Sequence, residues 1–267
     1  MNKKITSLLL SALGLWALSA QAQTPAPAAP APAAPASSWT FTPAVASQYM
    51  FRGNRLGGAS FQPTLEYGEG SFVAGVWANV PLADKVVGQS APEFDFYGSY
   101  KIEAIKDTLT WQPGLTIYAY PNAKKKDGFY KSTFEPNLAL NYTVAGWTLT
   151  PKAYYDFVLK GPTLEVTAAY ALPLKDAGTE LDFTGTLGTY KWTSAFENST
   201  PETKNYGNYY LIGVAAPFQI NKDSKLTIGY AYTKGSDNFV KTGSTPKLKN
   251  TAAVGRGVVT VSYAITF

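Results

Sequence analysis

The side chains best suited to chemistry in this chain stand at every second position. Across residues 93–103, Glu93, Asp95, Ser99, Lys101 and Glu103 alternate with Phe94, Phe96, Tyr100 and Ile102. Two carboxylates such as Asp95 and Glu135 could in principle work as an acid–nucleophile pair on a sugar. They could equally line a polar path and sort solutes by charge. Other chemistry is harder to build, because the chain has no histidine and no cysteine. The usual general base, the Cys-His pair and the usual zinc ligands are therefore missing. Carboxylates on an inward barrel face are common, so the sequence is read as non-enzymatic, with no catalytic residue, no metal site and no cofactor.

The elements that position these groups must have a period of two, since a strand sends successive side chains to opposite faces. The pattern recurs along the chain. Leu109, Trp111, Leu115 and Ile117 alternate with Thr110, Gln112, Thr116 and Tyr118. Trp147, Leu149, Ala153, Tyr155, Phe157 and Leu159 alternate with Thr148, Thr150, Lys152, Tyr154 and Asp156. Val259, Val261, Tyr263, Ile265 and Phe267 alternate with Thr260, Ser262 and Thr266. Long strands that are aromatic on one face and polar on the other fit a barrel with lipid outside and polar groups inside. A soluble sandwich has shorter strands and fewer aromatics on one face.

The chain ends and composition agree with export. Lys3 and Lys4 precede an apolar run from Ile5 to Leu18 and a small-residue site at Ala20-Gln21-Ala22, so residues 1–22 read as a signal peptide. No cysteine follows it, which excludes a lipid anchor on an amino-terminal cysteine. Residues 23–38 form a Pro/Ala-rich linker, read as a leader that keeps the barrel clear of the export machinery, with a polyproline spacer as the alternative. Residues 39–267 are the barrel. Losing Lys3 and Lys4 lowers the formal charge from +5 to +3, too little to suggest nucleic acid. No later run reaches the roughly 18 apolar residues of a spanning helix, whereas a tilted strand needs only about 9–11.

Twelve strands are expected, at 39–51, 58–68, 71–82, 91–103, 107–120, 129–143, 147–159, 162–172, 179–192, 206–218, 224–234 and 256–267. The fold class is thus all-β, a transmembrane antiparallel β-barrel. Tight connections follow the even strands. Longer polar ones tend to follow the odd strands, notably at 121–128, 193–205 and 234–253, and the short connection near Lys160 is an exception. An even count with this asymmetry puts both termini on the periplasmic side. Pro43, Pro63, Pro113, Pro136 and Pro151 fall inside these strands and each forfeits a ladder hydrogen bond. A ring of bends or bulges at one height would accommodate them.

Ser47-Gln48-Tyr49-Met50-Phe51-Arg52-Gly53, then Gln62-Pro63, Gly75-Val76-Trp77-Ala78-Asn79 and Glu93-Phe94-Asp95-Phe96-Tyr97-Gly98 resemble the TorF-type family of outer-membrane porins. The family's S-x-Y-x-F-R-G opening, glycine-tryptophan strand and acidic-aromatic strand ending in Gly-x-Tyr correspond to residues 45–100. The resemblance implies a small outer-membrane barrel with a pore role, and marks Arg52 as a family-typical position. Tyr263, Ile265 and the terminal Phe267 resemble the closing signal that the barrel assembly machinery reads.

Strand parity points Arg52, Asp95, Glu135, Asp156, Glu165 and Arg256 into the lumen, and these are the expected pore-lining residues. Arg52 and Arg256 would stand together near the outer mouth, with Glu135 and Asp156 across the barrel, giving a transverse field. The competing arrangement is a polar plug in which opposed charges pair. The expected function is an outer-membrane channel for small hydrophilic solutes. The alternative is a non-conducting barrel acting as adhesin, receptor or anchor through its loops, where Lys124, Lys125 and Lys126 could meet lipopolysaccharide.

Overall fold

The computed structural model describes residues 37–85, 91–124, 130–193 and 202–267. The expected signal peptide, most of the Pro/Ala-rich linker, and Lys125 and Lys126 lie outside them. Among the described residues eighteen strands occur: β1 (Ser38–Thr42), β2 (Ala44–Ala46), β3 (Tyr49–Phe51), β4 (Asn54–Gly57), β5 (Ser60–Phe61), β6 (Thr64–Glu69), β7 (Phe72–Pro81), β8 (Glu93–Tyr100) and β9 (Ile102–Ile105) in the first part. The second part has β10 (Leu109–Ala119), β11 (Ser132–Val144), β12 (Trp147–Asp156), β13 (Gly161–Leu174), β14 (Thr179–Trp192), β15 (Thr203–Asn221), β16 (Ser224–Thr242), β17 (Leu248–Lys249) and β18 (Arg256–Thr266). A single 3-10 turn, Lys175–Ala177, is the one helical element among the described residues.

The strands form a closed antiparallel barrel of twelve crossings. The pairs β1/β2, β5/β6 and β8/β9 are each one crossing with a break, and β17 is a short addition on β16. Closure comes from β18, which pairs with β16 on one side and with β1 and β2 on the other, as Thr40 opposite Thr266 and Ala46 opposite Thr260. A closed barrel leaves no unpaired edge, the condition for strands to sit in lipid.

Outward positions carry the apolar face. Phe96, Trp111, Ile117, Phe134, Leu164, Leu187, Ile212 and Val259 are all exposed. In water such a surface would be an aggregation liability, and in a bilayer it is solvated. Inward positions on the same strands are buried and polar: Thr110, Thr116, Glu135, Thr163, Asp182 and Thr260.

The prolines act in two ways. Pro43 separates β1 from β2, and Pro63 separates β5 from β6, so adjacent crossings are interrupted at the same height while their register is kept on either side. Pro113, Pro136 and Pro151 stay inside β10, β11 and β12 with no register shift at the prolines themselves, and the one irregularity in β10 falls at Leu109/Thr110 against β9, so the ring of bends or bulges is not formed at these three. Tight turns join β6 to β7, β11 to β12 and β15 to β16, and both chain ends of the barrel lie at that same end, where the Trp39 N–H donates to the Phe267 carbonyl. Strand β15 begins before the expected 206 and β16 runs past the expected end at 234, because 203–205 and 234–242 continue the ladder instead of forming loops, and β15 also extends from 218 to Asn221.

Candidate functional site

The segment between β2 and β5 builds the site. Those two strands already pair, Ala46 opposite Ser60, so residues 47–59 leave the wall and return to it at one point. The excursion turns inward as a hairpin, β3 with β4, because it carries apolar bulk. Tyr49 and Met50 bury themselves with Ala46, Trp77, Tyr97 and Val258. Its tip is Arg52-Gly53, with φ of 47° and 74° and Phe51 opposite Asn54, the positive-φ pair of a primed two-residue turn. Gly53 meets two demands there. A Cβ would lie 2.6 Å from the Gly235 amide nitrogen and from the Tyr209 Cβ, and the backbone is left-handed.

Walls hold the hairpin from several sides. The Gly53 carbonyl accepts from the Gly235 N–H at 3.0 Å, Asn54 donates to the Tyr190 hydroxyl at 3.2 Å, and Asn250 donates to Asn54 Oδ1 at 3.0 Å. Arg55 donates to Gln48 Oε1 at 2.8 Å and to Asp84 Oδ2 at 2.7 Å.

Arg52 at the tip makes the strongest link. Its Nη1 and Nη2 donate to Glu135 Oε1 and Oε2 at 2.8 and 2.7 Å, a bidentate pair whose side chains are 3% and 0% exposed. The guanidinium carbon lies 4.8 Å from the ring centres of Phe51 and Tyr154 and 5.6 Å from that of Trp192. Removing one partner of such a pair strands a buried charge, at a cost of about 3–5 kcal/mol.

Around this link the lumen is a set of carboxylates held by tyrosines. Tyr118 donates to Glu135 at 2.8 Å, Tyr154 and Tyr209 donate to Glu165, Tyr49 and Tyr120 donate to Glu93, and Tyr97 donates to Glu66 at 2.9 Å. Asp95, 1% exposed on β8, has no hydrogen-bond partner for either oxygen among the described residues. At the level of the hairpin the interior is packed: Arg52, Glu135, Tyr118, Tyr154, Trp192 and Tyr209 are none of them more than 6% exposed.

Asp95, Glu135 and Glu165 face inward as parity indicates. The transverse field does not survive, because Arg52 is not a wall residue facing Glu135 across a gap. It sits on the hairpin tip and touches Glu135, which is the paired arrangement. Arg256 does not join it: it is exposed at the start of β18, donating to the Gly255 carbonyl at 3.0 Å. Asp156 is buried, but Oδ1 accepts from Thr133 Oγ1 and from the N–H groups of Val158 and Leu159 at 2.6–2.8 Å, so it caps the turn after β12. That turn also reverses Leu159, expected on the lipid face, into the lumen beside Tyr190 and Trp192. Tyr263, Ile265 and Phe267 lie at the end of β18, with Ile265 and Phe267 exposed outward and the Tyr263 hydroxyl donating to Ser224 at 2.8 Å.

The residues that sequence reasoning passed over are the aromatic ones. Tyr118 and Tyr154 fall on the inward parity, but charged and amide side chains carry the expectation there, and Trp192 stands at the end of an expected strand. The signal for the hairpin was the Arg-Gly dipeptide between two short runs, Tyr49-Met50-Phe51 and Asn54-Arg55-Leu56.

A family model described as "Bacterial protein of unknown function (Gcw_chp)" matches residues 32–158. No curated protein matches the chain. Among solved structures, one titled "KdgM porin" is similar at 11% identity and a TM-score of 0.52, covering 86% of this chain and 99% of that one. Another, titled "NanC porin structure in rhombohedral crystal form", is similar at 11% identity and a TM-score of 0.51, covering 85% of this chain and 98% of that one. At this identity the likeness shows the fold: a closed twelve-stranded barrel of the kind found in outer-membrane porins.

Proposed function

We propose that the protein is a porin-like channel of the cell outer membrane for small hydrophilic solutes, and that the β3–β4 hairpin holds its mouth shut. The observation that carries this is the position of the hairpin. A folded segment lies inside a polar-lined barrel and is fastened across it by one bidentate pair, Arg52 to Glu135. The porin-like fold and the resemblance over residues 45–100, which falls within the family-model match, support the channel part. In this reading the tight-turn end is periplasmic, Tyr263, Ile265 and Phe267 serve the barrel assembly machinery, and lipid and lipopolysaccharide meet the outer face. No chemical step enters it.

The packed interior also favours a second reading, a non-conducting barrel that works through its loops. One substitution separates the two. Ala46 and Ser60 are already cross-strand partners, so replacing residues 47–59 by Asn-Gly closes β2 and β5 through a two-residue primed turn. In planar bilayers the parent should conduct rarely and the replaced barrel in steady, salt-dependent steps. A folded replaced barrel that stays silent rejects the channel and leaves the loops as the functional part.

A further inference from the structure

We propose that the pocket around Glu135 is a binding site for guanidinium-type organic cations, and that Arg52 occupies it as a tethered competitor. The pocket combines the two elements that recognise such a cation. Glu135 supplies a buried carboxylate in bidentate geometry, and Tyr154 and Trp192 present rings 4.8 and 5.6 Å from the guanidinium carbon.

These walls are held by contacts that do not involve Arg52. Tyr118 donates to Glu135 Oε2 at 2.8 Å, Tyr154 donates to Glu165, and Trp192 stacks on Tyr190 with ring centres 4.2 Å apart. Removing the arginine side chain therefore leaves a formed site of matching shape and charge.

The backbone at Arg52 points the same way. Its φ of 47° is the left-handed conformation that a primed turn normally gives to Asn, Asp or Gly. Arginine stands there against local preference, which fits a residue chosen for its head group. Hairpin tether and cage together resemble a ligand linked to its own receptor, with an effective concentration of order millimolar. A free solute with the same head group must exceed that to displace it, and displacement would release the hairpin tip. This consequence for transport rests on the gated-channel reading. The binding itself does not.

Arg52→Gly is the clean test, because glycine suits the turn and removes the guanidinium. Methylguanidinium is titrated calorimetrically into the refolded full-length barrel in detergent, with tetramethylammonium and sodium as controls. The expected result is saturable binding of methylguanidinium to Arg52→Gly at least about tenfold tighter than to the parent. It should be lost in Arg52→Gly/Glu135→Gln and weaker for both controls. Equal binding to parent and Arg52→Gly, or binding indifferent to Glu135→Gln, overturns the proposal. If Arg52→Gly refolds only with methylguanidinium present, rescue of folding supports the site. Failure to refold with or without it makes Arg52 structural and overturns the proposal. Conductance plays no part in this readout, so a barrel that never conducts leaves the binding result standing.

Discussion

Glu135→Leu and Arg52→Gly break the same pair and should not cost the same. In Glu135→Leu the guanidinium stays inside the barrel with no carboxylate, 3% exposed and ringed by aromatic faces. The expected loss is about 3–5 kcal/mol, the range for a buried pair stripped of one partner. In Arg52→Gly the surviving carboxylate keeps its bond from Tyr118 at 2.8 Å, and the left-handed φ of 47° is relieved. A non-glycine residue in that conformation is disfavoured by about 1 kcal/mol or more. Arg52→Gly should therefore be milder than Glu135→Leu by at least about 1 kcal/mol. Combining the two removes the stranded charge, so the double variant should be more stable than Glu135→Leu alone. Urea unfolding of the refolded barrel in micelles reads the global loss. Amide exchange of Gly235, whose N–H donates to Gly53, reads release of the hairpin locally. Urea is needed because guanidinium itself would enter the proposed site. Equal and additive losses from the two single variants would refute the coupling on which the closed mouth depends.

Gly53→Ala should expel the tip, since its Cβ would lie 2.6 Å from backbone at Gly235 and the turn needs φ of 74°; faster exchange of the Gly235 amide checks this, with an expected cost of about 1–3 kcal/mol. Asp95→Asn, made in the barrel with 47–59 replaced, should move the reversal potential away from cation selectivity, because this buried carboxylate has no counter-group; an unchanged potential removes Asp95 from the conduction path. Ile212→Arg, on the outward face midway along β15, should destabilise the barrel in vesicles by about 2–4 kcal/mol, whereas no loss would place that face outside the bilayer core.

The barrel was legible because its strands repeat one simple rule. Along β8, β10 and β18 exposed apolar side chains alternate with buried, mostly polar ones, Tyr97 and Val258 being inward exceptions that pack against the hairpin, and a period of two needs no knowledge of distant contacts. The same rule misleads at Tyr49, Met50 and Phe51, which it places at the end of the first strand. Alternation is a property of a short run and does not say whether that run belongs to the wall. What decides it is the pairing of Ala46 with Ser60, a fact about two strands at once. Asp156 shows a related limit: parity correctly put it inside, but its role as a turn cap depends on the backbone at Val158 and Leu159. Charge singles out Glu135 and not Tyr118, although the Tyr118 hydroxyl donates to it. Partners 83 residues apart, such as Arg52 and Glu135, leave no mark in a local pattern.

Arg52 is locked inside the barrel on Glu135, and its guanidinium can be observed directly. The chain has three arginines, Arg52, Arg55 and Arg256, so a guanidinium NMR spectrum of the refolded protein is simple. A locked Arg52 gives one set of Nη protons exchanging slowly with water, close in space to the Tyr154 and Trp192 rings, and absent in Arg52→Gly. Three guanidinium groups that all exchange rapidly would contradict it.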